Sequence, residues 1–91
     1  MSQSSFPRPE HAAALRRAIE ERVRQRGLHL EVAELGLNQL KCQYKFGLRR
    51  DPQQDWTELA IHFQVAVRLE SSSSDSELSR QVDRLLERNF S

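Results

Sequence analysis

Between Trp56 and Glu70 the apolar residues fall on every second position. Leu59, Ile61, Phe63, Val65, Val67 and Leu69 share one parity, and Glu58, Ala60, His62, Gln64, Ala66, Arg68 and Glu70 share the other. A period of two predicts one long β-strand with a buried and a wet face. The stretch from Leu40 to Arg49 repeats the pattern, with Leu40, Cys42, Tyr44, Phe46 and Leu48 against Lys41, Gln43, Lys45, Gly47 and Arg49. The polar segment 50–55, which contains Pro52, reads as the hairpin loop between them. Opposing Arg49 with Trp56 sets Phe46 against Leu59, Tyr44 against Ile61, Cys42 against Phe63 and Leu40 against Val65. A slip of one residue would turn every apolar side chain outward.

Leu28, Leu30 and Val32 alternate as a first strand, and the phase breaks where Glu34 takes the inward slot and Leu35 and Leu37 change parity. That break predicts a bulge or a wide turn through Gly36 and Asn38. A helix is predicted over Glu10–Arg26 from the spacing of Ala12, Leu15, Ile19 and Val23, with Pro9 in its first turn and Gly27 as its left-handed cap. A last helix carries Leu78, Val82, Leu85, Leu86 and Phe90 on one side, and Ser74 and Glu77 have the spacing of a capping box in front of it. Residues 1–8 read as a flexible N-terminal arm in which Phe6 is available to pack, and residues 9–91 as a single domain. The expected fold is α+β, a two-layer sandwich of order helix-strand-strand-strand-helix, with a three-stranded antiparallel meander and both helices on one face.

The chain has 91 residues, fourteen basic against thirteen acidic, for a net charge of +1. A field that weak gives no support from overall charge to nucleic-acid or membrane partners. The single cysteine and the absence of an apolar leader in residues 1–9 lead to a cytoplasmic expectation. His11, His29, His62 and Cys42 are the titratable candidates for chemistry. They fall on separate elements, the histidines at the surface and Cys42 inside the core, so no catalytic, cofactor or metal site is expected and the chain reads as a non-enzyme. Gly27, Gly36 and Gly47 are isolated and form no phosphate loop.

Two features exceed what the core explains. A strand running to Glu70 would outreach its neighbour, so that either it bends and the last helix covers its end or it leaves a long edge for another chain. Trp56 shares the parity of the wet face, opposite Arg49 and beside Arg50, the composition of an interface hot spot. The expected function is therefore a protein-interaction or assembly module, a homodimer or higher oligomer, with Trp56, Arg49, Arg50, His62 and Arg68 at the interface. The alternative is RNA binding through Arg16, Arg17 and Arg24 of the first helix with Lys41 and Lys45, since residues 8–26 hold six arginines against three glutamates. The element order and the serine-rich turn before the last helix resemble the double-stranded-RNA-binding domain, which implies a basic cluster at that turn. Here the turn carries Asp75 and Glu77, with Arg80 as its one basic residue. Phage tail-terminator proteins and secretion chaperones are similar in element order alone, which implies oligomeric assembly by fold-level likeness.

Overall fold

The structure, a computed structural model, describes residues 6–72 and 74–90. It is an α+β fold in which helix α1 (Pro9–Gln25) is followed by strands β1 (Glu31–Asn38), β2 (Gln43–Arg49) and β3 (Thr57–His62). Helices α2 (Phe63–Leu69) and α3 (Ser76–Asn89) complete it. The strands form an open antiparallel sheet in the order β1-β2-β3. Phe46 faces Leu59 and Tyr44 faces Ile61, the register expected from hydrophobic matching.

One side of the sheet is the core. Leu15, Ile19 and Val23 of α1 and Leu78, Val82, Leu85 and Leu86 of α3 close over Val32, Tyr44, Phe46, Leu48, Leu59 and Ile61. Both amphipathic stripes are thus satisfied by one apolar sheet face, and Phe46, Leu48 and Ile61 have no solvent exposure. Gly27 adopts φ +76 behind α1, a left-handed conformation that costs a glycine little. Phe6 packs edge-on against Tyr44 at 5.0 Å and meets Phe63 at 6.2 Å, and the Arg8 backbone N–H donates to the Tyr44 hydroxyl at 2.9 Å. The end of the arm is therefore fixed to the core, while residues 1–5 lie outside the described residues.

Four local expectations are corrected. The first strand starts at Glu31 rather than Leu28 and runs through the phase break, because a bulge between Glu34 and Gly36 absorbs Leu35 and carries pairing on to Asn38. The second strand begins at Gln43, not Leu40: the Asn38 side chain accepts from the Lys41 backbone N–H, Cys42 takes φ +54, and Leu40 is 98% exposed at the turn. Cys42 is consequently half-buried at the end of the sheet instead of inside the core.

The third strand ends at His62, and residues 63–69 are helical. Its last tie to the sheet is the Phe63 N–H donated to the Cys42 carbonyl at 2.9 Å. Beyond that point β2 has turned away, so a continued strand would have no partner for its backbone groups. His62 instead caps α2, its Nδ1 accepting from the Gln64 N–H. The long unpaired edge expected from the sequence is absent, since β3 has six residues against seven in β2. Finally, the cap of the last helix is Asp75 rather than Ser74: its carboxylate accepts the Leu78 N–H at 3.1 Å, and Glu77 pairs with Arg68.

Candidate interaction face

With both main helices on one side, the other side of the sheet has no covering layer. Alternation presents Ala33, Gly47, Arg49, Lys45, Glu58, Ala60 and His62 there, and the bulge adds Leu35. Gly47 lies at the centre. A methyl group at its Cα would stand 2.8 Å from Trp56 Cε3 and 2.9 Å from Leu35 Cδ1. The tryptophan ring therefore lies flat on the β2 backbone, in a space that only glycine leaves open, with Leu35 against the same residue. The Arg49 guanidinium covers the ring at 3.9 Å from its centroid and is held there by Glu31 at 2.9 Å. Lys45 pairs with Glu58 across the strands at 3.3 Å. The result is an apolar centre of Trp56 and Leu35 between two neutralised ion pairs.

The other residues expected at this interface are elsewhere. Arg50 turns to the helix layer, stacks 5.8 Å from the Phe90 ring and donates to the Phe90 carbonyl. Arg68 belongs to α2 because the strand has ended. Its guanidinium binds Asp75 at 2.7 Å and Glu77 at 2.8 Å. Arg68 hydrogen-bonded to Asp75 holds that carboxyl below its usual range and is itself raised in turn. Ala66, placed on the wet face by the strand reading, is fully buried. His62 remains at the end of the open face as the α2 cap.

The basic residues of the alternative reading do not converge. Arg16, Arg17 and Arg24 project from the exposed side of α1, Lys45 is on the uncovered sheet face and Lys41 is in the β1–β2 turn. Arg16 and Arg24 pair with Glu20 at 3.8 Å and Glu21 at 2.8 Å within their own helix. Arg22 holds Asp83 of α3 through two contacts of 2.8 and 2.6 Å, which lowers the Asp83 pKa.

His11 is a further correction, being 2% exposed rather than a surface residue. Its Nε2 lies 2.6 Å from Glu70 and its Nδ1 3.4 Å from the Tyr44 hydroxyl. With Nε2–H donated to Glu70, Nδ1 is left to accept from the tyrosine. This chain ties the start of α1 to β2 and to the end of α2. Among the described residues no group of three His, Cys, Asp or Glu is placed to hold a metal ion, and no helix is long and apolar enough to cross a membrane.

Sequence reasoning missed two surfaces. The exposed large apolar residues Leu35, Leu37 and Leu40 all fall between the β1 bulge and the following turn. Leu35 and Leu37 line a groove of about 530 Å³ reaching Pro7, Ala12 and Tyr44. The broken phase at Glu34 was the signal for them. The second surface is a groove of about 270 Å³ between the outer edge of β3 and α3, floored by Leu59 and Leu85 and walled by Gln81, Arg84 and Arg88. Comparison with protein-family models, with curated proteins and with solved structures finds no match to this chain.

Proposed function

We propose that the chain is a non-enzymatic protein-interaction module that engages its partner through the uncovered sheet face around Trp56 and the adjoining free strand edges. The observation that supports this reading most directly is the Trp56 ring lying on Gly47 beside Leu35, on the side of the sheet that carries no helix layer. A partly exposed tryptophan held in place by an arginine loses little side-chain entropy when a partner covers it, and tryptophan and arginine are the residues on which binding energy concentrates. The charges around it are already paired, so the face has no net field and fits a protein surface better than a phosphate backbone.

Site-specific photo-cross-linking in cells tests it. A photoreactive residue at Trp56 is expected to give discrete adducts, with a second copy of the chain or with another protein, and the same residue at Arg17 on the far side of α1 is not. Equal yields from both positions, or no adduct from Trp56, would overturn the reading.

A further inference from the structure

We propose that the outer edge of β3 takes an extended acidic segment of another protein as a fourth strand, in the groove against α3. The inference rests on the reading of the chain as an interaction module and names the partner's chemistry. β3 is the last strand of the sheet, and among the described residues no backbone group pairs with its outer side. An unpaired edge is a template for strand addition, in which the main chain supplies binding and alternate side chains supply selectivity.

Three features of the groove specify the guest. Leu59 and Leu85 form an apolar floor for every second side chain of an added strand. Gln81 Oε1 is buried without a hydrogen-bond partner, while its Nε2 reaches Glu77 at 3.4 Å, so the wall holds an acceptor with no donor. A buried acceptor without a donor is costly, and rotation of the Gln81 side chain toward an incoming main chain would supply one. Arg84 and Arg88, one helical turn apart, line the same wall, and among the described residues neither has an ion-pair partner. The one acidic residue of the groove, Glu58, is already engaged by Lys45. Two free guanidinium groups over an open edge select carboxylates.

The same arginines disfavour a second copy in this position. A two-fold β3–β3 pairing would place both α3 helices on the same side of the joined sheet, with Arg84 and Arg88 of each copy facing across the seam. Like charges so placed oppose association.

The test uses the full chain and two synthetic peptides of seven residues, one alternating glutamate with valine and one alternating lysine with valine, followed by amide exchange and fluorescence anisotropy. The glutamate peptide is expected to slow exchange across Thr57–His62 and to bind at least about ten-fold more tightly at low salt, with the gap narrowing as salt screens the charges. Arg84→Glu with Arg88→Glu should reverse that preference, and Arg80→Glu, on α3 outside the groove, should leave it unchanged. Circular dichroism of each variant separates loss of binding from loss of fold. Equal binding of the two peptides, or binding without protection of β3, would overturn the inference. Protection of β3 in the peptide-free protein together with a doubled mass would assign the edge to a second copy, which overturns the acidic guest and leaves the interaction-module reading standing. That reading fails separately, by loss of the Trp56 cross-links.

Discussion

Replacing Gly47 by alanine should destabilise the protein, and in the absence of Trp56 the same replacement should stabilise it. In an ordinary strand position Gly→Ala gains about 0.4–1 kcal/mol, because the unfolded chain has fewer conformations to lose. At Gly47 the added methyl would meet Trp56 Cε3 at 2.8 Å and Cδ2 at 2.9 Å, where 3.4 Å begins ordinary contact, so the ring must rise by 3.4 − 2.8 = 0.6 Å. The third neighbour, Leu35 Cδ1 at 2.9 Å, is the end of a flexible side chain and can move aside. The indole cannot bend, and the Arg49 stack 3.9 Å above it leaves it little room. Overpacking of this kind costs about 1–3 kcal/mol, and losing the stack adds about 0.5–1 kcal/mol. The expected net loss is about 1–2 kcal/mol, a fall in melting temperature of roughly 4–16 °C for a domain this size. In a Trp56→Ala background Gly47→Ala should gain about 0.5 kcal/mol, which makes the coupling roughly 2 kcal/mol. Urea titrations of the four proteins measure it, and tryptophan emission of Gly47→Ala should shift to the red as the ring lifts. A neutral or stabilising Gly47→Ala in the wild-type background would refute the placement of Trp56 on the β2 backbone.

Asp75→Ala removes the α3 cap and should cost about 1 kcal/mol at neutral pH in chemical denaturation. Because Arg68 depresses the folded-state pKa of Asp75, the charge-dependent part of its contribution is fully present above the unfolded value of about 3.9 and is lost as pH falls through the lower folded value. The gap between wild type and variant should therefore narrow below about pH 4. A gap that widened in acid would contradict the Arg68–Asp75 pairing. His11→Ala opens a cavity and leaves the Tyr44 hydroxyl without its acceptor, for an expected loss of about 2–3 kcal/mol. Glu70→Ala, at a carboxylate 48% exposed, should cost less than about 1 kcal/mol, and equal losses for the two variants in urea titrations would count against a buried His11. Helix α2 has seven residues, well short of the roughly 12–15 that sustain an isolated helix, so amides of Val65–Leu69 should exchange faster than those of Leu15–Val23 and Val82–Leu86. Uniform protection across all three helices would show α2 to be more firmly held than its length implies.

The segment Phe63–Leu69 shows where the sequence could be read and where it could not. Period two was unbroken from Leu59 to Leu69, and β-branched Val65 and Val67 favour a strand, so local pattern and propensity agreed on the wrong element. Over seven residues the two periods overlap: Val65, Ala66 and Leu69 also lie on one helical face, and that is the face buried against α1 and the core. What decided between them was not local. A strand needs a neighbour, and β2 cannot supply one before Gln43, because Asn38 closes a turn that sends Leu40 into solvent and sets Cys42 at φ +54. The early start assigned to β2 and the late end assigned to β3 were therefore one error, propagated through a register that is correct from Gln43 to Leu48. The same dependence runs through the candidate site. Trp56 and Arg49 meet across a register that the core face determines, so their pairing was legible, whereas the seat of the ring on Gly47 was not. Arg50, Arg68 and His11 were not, since each takes its place from a partner on another element, in Phe90, Asp75 and Glu70. The free edge of β3 belongs to this second kind. It has chemical character only because α3 sets Gln81, Arg84 and Arg88 beside it, and nothing in the alternation of Thr57–His62 records which helix that will be.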